Sequence, residues 1–374
     1  MATRHCASVI HRIQTPKLIN ARGTFTPLGV SRSSPGVAAA AAAALSEFAL
    51  LDDMQNAASA AIARMSGAEA GTVVHCTAAA ITLAIAAIMA GTSPERTEAL
   101  PDTSGMRHRV VLPATHTVDY GHPIKQAVRL AGATPVVVGT PERCGVGDLL
   151  AELAHRDTAC LLMVSSRLVQ GEGPDLTAAA AAAHAHGVPV VLDGAAQDFR
   201  VRQLLTTGAD ILLISAQKYL AAPTAGLLMG RADLITAVRA QEKGIGRGMK
   251  ATKEAIAGVM TALAEREALD VSAWASAQAR MVARFTARAE RLPCLTAWSV
   301  PDPNGLPFTR AHIRVDPSRA GLNALELAAA LRTGNPQVWV MEHRAEAGEL
   351  VFELAALRDD EVDVILERLA ACLE

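Results

Sequence analysis

Aromatic residues are scarce in this chain: six Phe, two Tyr and three Trp make up 3% of 374 residues. Binding single-stranded nucleic acid through base stacking needs a platform of such rings, and none is available here. An excess of charge is also missing. The 35 basic side chains are set against 37 acidic ones, a formal net charge of −2. That balance rules out a broad electrostatic footprint for a polyanion. The six cysteines (Cys6, Cys76, Cys144, Cys160, Cys294 and Cys372) are scattered, with no C-x-x-C pair. A disulfide framework or structural zinc site is not expected, and a reducing compartment fits. No apolar stretch precedes a cleavage site near the N-terminus, so no secretory signal is expected. The most apolar segment, 73–90, is rich in Ala and Thr and interrupted by His75. A spanning helix wants about 20 strongly apolar residues. The expectation is a soluble, cytoplasmic protein with no metal, no membrane and no nucleic-acid partner.

Apolar residues, by contrast, reach 51% against 19% charged, enough for a sizeable core. Seven short apolar runs stand out, at 72–76, 109–113, 134–139, 160–165, 188–193, 210–215 and 226–230. Val/Ile/Leu runs without alternation suit strands buried on both faces. Helix-like stretches such as 124–131 and the Ala-rich 176–186 lie between most of them, which predicts an open α/β sheet. The last two runs are close together and read as a hairpin-like or antiparallel edge pair. After Gly248 the character changes. The segment 250–292 reads as one or two helices. Strands at 309–315, 337–341 and 349–354 then alternate with helices at 324–333 and 360–373. The expected division is an N-terminal segment 1–35, a large domain 36–248 and a small α+β domain 249–374.

Ligands of open α/β sheets bind at the carboxyl ends of strands. Asp193 ends one run, and Lys218 follows another that ends at Ser215. Such a pair suits pyridoxal phosphate: the lysine forms the Schiff base, and the carboxylate keeps the pyridine nitrogen protonated. An Asp at a strand end also serves as an ordinary turn former or helix cap. The segment His75-Cys76-Thr77-Ala78 follows the first run and opens a long helix, where free backbone N–H groups hold an anion. Thr77 acting only as a helix cap is the plainer alternative. His116 and His122 follow the second strand, where a cofactor ring would lie, although a lone histidine is more often a surface or capping residue. Other motifs fail. Gly244-Ile245-Gly246-Arg247-Gly248 has no preceding strand and a misplaced third glycine for a dinucleotide loop. Neither a G-x-S-x-G elbow nor a Walker A loop is present. His184 and His186 are two apart on a helix and point to different faces.

Several blocks recur in a familiar order: Leu18-Ile19-Asn20-Ala21-Arg22-Gly23-Thr24, Gly67-Ala68-Glu69-Ala70, Val191-Leu192-Asp193-Gly194-Ala195-Ala196, Ser215-Ala216-Gln217-Lys218-Tyr219 with Pro223-Thr224-Ala225-Gly226, and Gly246-Arg247-Gly248-Met249-Lys250 with Lys253-Glu254. From about Leu18 to the C-terminus, this series resembles the selenocysteine-synthase-like family of fold-type I pyridoxal-phosphate enzymes. The resemblance is nearer to the D-glucosaminate-6-phosphate ammonia-lyase branch. It implies a seven-stranded, mostly parallel sheet with a smaller α+β domain, and a homodimer or larger assembly. Position by position, it implies Lys218 as the Schiff-base lysine and Asp193 as partner of the pyridinium nitrogen. Cys76, Thr77 and Ala78 would hold the phosphate, with Ser215 as helper. One departure is that Cys76-Thr77 stands where the family usually has Ser-Gly. A second is that the chain is short at its N-terminus for the extra domain with which selenocysteine synthases grip tRNA.

The function expected is α,β-elimination with ammonia release from a small amino acid or amino-sugar acid. Racemisation or epimerisation and transamination begin with the same Cα–H cleavage and stay open, as does a non-catalytic homologue. Arg22 and Arg247 are candidates for the anionic groups of a dianionic or phosphorylated substrate, since a guanidinium grips a carboxylate or phosphate with two parallel bonds. Both also suit ordinary surface or subunit contacts.

Overall fold

The computed structural model describes residues 17–373; Cys6 and the N-terminal stretch read as lacking a secretory signal lie outside the described residues. The strands are β1 (Leu18–Asn20), β2 (Ala70–Val74), β3 (Arg109–Pro113), β4 (Thr134–Val138), β5 (Thr158–Val164) and β6 (Val190–Asp193). They continue as β7 (Ile211–Ser215), β8 (Gly226–Gly230), β9 (Leu295–Pro301), β10 (Thr309–Val315), β11 (Gln337–Trp339) and β12 (Glu349–Phe352).

The seven apolar runs fold into one sheet in the order β2-β8-β7-β6-β5-β3-β4. From β4 to β7 all neighbours are parallel, and β8 alone is reversed, antiparallel to both β7 and β2. The expected antiparallel pairing of the last two runs is found, but β8 is interior and β2 takes the edge. Because only β8 is reversed, β2, β3, β5, β6 and β7 all end along one edge. Gly226 begins β8 there, in register with both Val74 and Ser215.

Alternate residues of each strand enter two different cores. In β5, Leu161 and Met163 join one layer, while Cys160, Leu162 and Val164 join the other. Both faces of the inner strands are covered, which is why they read as continuous apolar runs, whereas edge strand β4 has no buried residue. The Ala-rich helix Thr77–Ala90 is buried around nearly its whole girth, and its small side chains let it lie close to the sheet. No helix among the described residues is long and apolar enough to cross a membrane.

The described residues form two compact units, 33–269 and 270–373 with 17–32. The boundary drawn at Gly248 from sequence thus falls about one helix early. Helix Lys253–Ala268 packs on helices Pro35–Ser46 and Leu51–Ser66, burying Ile256, Val259 and Leu263 in a core of the large sheet. Segment 250–292 holds two helices, and Asp270 starts the second by accepting from the Ala273 N–H at 2.9 Å. In the smaller unit, β10 pairs antiparallel with β9 and β12 over a core containing Phe285 and Phe352, with ring centroids 5.0 Å apart. The N-terminal segment is not independent: β1 pairs in parallel with β11, and Ile19 and Ala21 enter the same core.

Gly226 is where the sheet presses on the start of helix Thr77–Ala90. A Cβ there would lie 2.6 Å from the Cys76 carbonyl oxygen and 3.0 Å from the Thr77 nitrogen, both backbone atoms that cannot swing away. Gly226→Ala is expected to lower stability by about 1–3 kcal/mol through overpacking. Denaturant titration checks this; an unchanged midpoint would mean that β8 shifts at no cost.

Candidate active site

Strand β6 delivers Asp193 to the carboxyl edge, and β7 delivers Ser215. Asp193 is buried, at 5% exposure, and its Oδ1 accepts the Ala195 N–H at 3.0 Å. The following loop is stitched to β7: the Gly194 N–H donates to the Leu213 oxygen at 2.9 Å, and the Ser215 N–H to the Ala195 oxygen at 3.0 Å. A turn closed by the Lys218 N–H on the Ser215 oxygen, 3.3 Å, then presents Lys218. Burial lifts the Asp193 carboxyl to about 6, against the opposing pull of Lys218 and the Ala195 N–H. Burial also pushes the Lys218 ammonium down; Asp193 opposes this, Arg167 adds to it and Asp198 resists it. The pair is a base held toward neutrality beside an acid that a cation would ionise.

An ion pair braces both loops. Asp198 and Arg266 meet at 2.7 Å, and Arg266 also donates to the Tyr219 oxygen at 2.7 Å, next to Lys218. Its guanidinium lies 3.7 Å from the Phe199 ring centroid. Burial raises the Asp198 carboxyl, with Arg266 pulling the other way.

His116 follows β3 and is buried. The Val164 N–H donates to its Nδ1 at 3.1 Å, which assigns the ring proton to Nε2. Burial drops its pKa to about 4, so the imidazole is a neutral plate. A Cβ on Gly173 would stand 2.9 Å from Nε2; glycine lets that loop close over the ring edge. Nearby in the chain, Thr115 Oγ1, Tyr120 Oη and His122 Nδ1 are buried without a hydrogen-bond partner among the described residues.

The start of helix Thr77–Ala90 has the N-cap Cys76, which makes no side-chain cap bond. Thr77 is the first helical residue rather than the cap, so the plainer alternative for it does not hold. The first-turn N–H groups thus lack a side-chain acceptor, as an anion site requires. The His75 N–H donates to the Met249 oxygen at 2.8 Å, which brings the turn Ile245–Gly248 and exposed Arg247 alongside this start.

Lys218, Asp193, Ser215, Cys76, Thr77, Ala78, His116 and Arg247 therefore gather along one edge of the large sheet. Arg22 belongs to the smaller unit. There its guanidinium covers Phe25 at 4.0 Å, and its N–H donates to Asn20 Oδ1 at 3.0 Å. His184 is tied to Asp210 at 2.8 Å and takes no part. Three groups at this edge have no motif in the sequence: Arg167, Tyr120 and the Asp198–Arg266 pair. The only signal for Arg167 is its place just after β5, where the carboxyl-edge rule applies to every strand.

The raised Asp193 pKa has a signed consequence for the cofactor-free protein. A carboxyl at 3.8 unfolded and about 6 folded binds its proton more tightly in the fold. It contributes stability that is full below about 3.8 and lost as pH rises through about 6. Asp193→Asn removes this loss. Its denaturant midpoint should gain on wild type between pH 4 and pH 7, and a constant offset would contradict the assignment.

These residues fit pyridoxal phosphate. A buried carboxylate is present for the pyridine nitrogen, an amine for the carbonyl carbon, a flat neutral ring for the π-face and an uncapped helix start for the phosphate. Comparison with known proteins agrees. The aminotransferase class-V family matches residues 51–257 and the β-eliminating lyase family residues 172–352. The chain is 33% identical to a 5'-C-glycyluridine monooxygenase-decarboxylase of Streptomyces sp., over 95% of this chain and 90% of that one. It is 31% identical to D-glucosaminate-6-phosphate ammonia lyase of Salmonella typhimurium, over 98% of both. A solved D-glucosaminate-6-phosphate ammonia-lyase structure superposes with a TM-score of 0.89, at 31% identity and 98% coverage of each chain. An L-seryl-tRNA(Sec) selenium transferase of Desulfovibrio desulfuricans is 28% identical, over 58% of this chain and 44% of that one. The chain belongs to the fold-type I pyridoxal-phosphate enzymes, in the branch that joins the ammonia lyases to the selenocysteine-synthase-like proteins.

Proposed function

We propose that this enzyme is an ammonia lyase that eliminates a β-substituent from an anionic amino acid or amino-sugar acid. The observation that carries this is the desolvated Lys218–Asp193 pair, in a chain 31% identical over 98% of its length to D-glucosaminate-6-phosphate ammonia lyase. Pyridoxal phosphate, when bound, supplies an electron sink for charge developing at Cα. Asp193 keeps the ring nitrogen protonated, and the lowered pKa of Lys218 leaves its Nζ able to take the Cα proton. His116 flanks the ring as an uncharged plate. Cys76, Thr77 and Ala78, with Ser215 as helper, hold the phosphate. For a substrate with a Cβ hydroxyl, loss of the Cα proton and that hydroxyl followed by hydrolysis yields a 2-oxo acid and ammonia. Atoms balance without an oxidant.

Arg167, a cation felt by Lys218, is proposed to hold the substrate carboxylate. Arg247 beside the helix start is proposed for a second anionic group; Arg22, the other candidate from the sequence, belongs to the smaller unit. A homodimer in the cytoplasm completes this reading. Exposed Leu45, Phe48, Leu50 and Leu51 form an apolar run of the kind a subunit interface covers. The free cysteines among the described residues suit a reducing compartment.

A second reading draws on the Streptomyces relative: cleavage of the Cα–carboxylate bond with oxygen as co-substrate. Incubation with D-glucosaminate 6-phosphate separates the two. Ammonia and 2-oxo acid in equal amounts, without oxygen uptake, support the lyase; carbon dioxide with oxygen consumption supports the other. Release of 2-oxo acid only when an amino acceptor is added would indicate transamination, and inversion at Cα without release a racemase or epimerase.

Lys218→Ala should abolish the borohydride-fixed link between cofactor and protein while leaving the thermal transition in place. A link that persists at another lysine would overturn the assignment. Arg167→Lys keeps the charge but loses the planar fork. It should lower kcat/KM about 10- to 100-fold, the worth of one charge-assisted bond, with the cofactor band unchanged. Equal kinetics would remove Arg167 from the site.

A further inference from the structure

Tyr120 is one of only two tyrosines in the chain, and it stands in the loop after β3 among the site residues. A tight turn presents it. The Gly121 N–H donates to Asp119 Oδ1 at 2.9 Å, the Tyr120 N–H reaches the His122 oxygen at 3.3 Å, and Asp119 bridges to Pro123. The His122 ring meets the phenol edge-on at 4.6 Å and 77°. The phenolic oxygen is buried and has no hydrogen-bond partner among the described residues, an arrangement that costs free energy unless a ligand satisfies it. Burial raises its pKa strongly, and the neighbouring Asp193 carboxylate, Cys76 and Asp119 raise it further. Tyr120 is therefore a hydrogen-bond donor and not a base. Asp193 at the end of β6 and Cys76 at the start of helix Thr77–Ala90 both act on the phenol, so it lies within electrostatic reach of both ends of the site.

The cradle's hydroxyls are those of Thr77 and Ser215, and its N-cap position carries a thiol. Cys76 occupies the N-cap, and a thiol is a weak donor where a hydroxyl would be a good one. We infer that Tyr120 donates its phenolic hydrogen to the cofactor phosphate, supplying the bond that the Cys76 thiol makes poorly. The inference rests on pyridoxal phosphate sitting between Lys218 and Asp193. It assigns Tyr120 a positioning role, outside the proton transfer at Cα.

The test compares two probes, pyridoxal 5'-phosphate and pyridoxal, titrated into cofactor-free wild type and Tyr120→Phe. Binding is followed by the visible absorbance band and by thermal melting. One lost charge-assisted bond should raise the Kd for pyridoxal 5'-phosphate about 10- to 100-fold. The Kd for pyridoxal, which has no phosphate, should stay the same. Without ligand, Tyr120→Phe should melt at or above wild type, because it removes an unsatisfied buried hydroxyl. Equal weakening of both probes would place Tyr120 against the ring or in the packing and overturn the inference, as would no change in either. If wild type itself takes up neither probe, the cofactor assignment fails, and this inference fails with it.

Discussion

Removing the Asp193 carboxyl and the Lys218 amine from water together is the constraint around which this site is built. Each group alone would rather be solvated, and burial moves the acid up to about 6 and the amine down. Their mutual attraction opposes both shifts without cancelling them. Both features suit the chemistry: an amine nearer neutrality accepts a proton, and a carboxyl in a dry site responds strongly to a cationic ring. The sheet imposes this juxtaposition, since β6 and β7 are parallel neighbours with Asp193 in register with Leu213. The Asp198–Arg266 pair then ties the two following loops together. Such a buried pair adds little net stability, and its role in geometry is the better account of its presence.

Much of this was legible in the chain because the signals were local. Seven apolar runs marked seven strands, and in all but the edge strand β4 nearly every residue is buried, so no polar side shows. Asp193 and Lys218 were legible because they sit at strand ends. The domain boundary was not, because a change in composition after Gly248 says nothing about which surface the helix Lys253–Ala268 covers. Its Ile256, Val259 and Leu263 are buried by distant helices. Segment 337–341 was legible as extended chain, but its pairing with Leu18–Asn20 joins residues more than 300 positions apart, and no periodicity encodes that. Arg167 and Tyr120 escaped for a related reason: each is one residue in a loop, with no spacing to mark it. In a chain with so few aromatics, the position of each one is the remaining clue.

The Cys76-Thr77 pair illustrates how a departure at one position is absorbed elsewhere. An anion at a helix start is held mainly by backbone N–H groups and the aligned peptide dipoles. Those depend on the path of the chain and not on the side chain at the cap. The close approach of Gly226 to the Cys76 carbonyl fixes that path. What Cys76 changes is the side-chain contribution, and a hydroxyl from another loop can replace it. Loss of a familiar serine there is therefore weak grounds for reading the chain as non-catalytic.

Two relatives that span nearly the whole chain carry names for different reactions, ammonia loss and decarboxylation. The Lys218–Asp193 pair does not distinguish them, because an electron sink serves either. Discrimination must come from whichever group holds the substrate carboxylate. A carboxylate gripped by a guanidinium keeps its charge satisfied and resists leaving as carbon dioxide, whereas one left in a drier, unpaired setting is destabilised and departs more readily. Arg167 bears on this choice because its charge already reaches the lysine. It follows β5 by a short loop that is anchored where the Ser165 N–H donates to the Asp193 oxygen at 2.8 Å. A guanidinium gripping the carboxylate from that loop would favour its retention and loss of the proton, the outcome that the proposed lyase reaction requires.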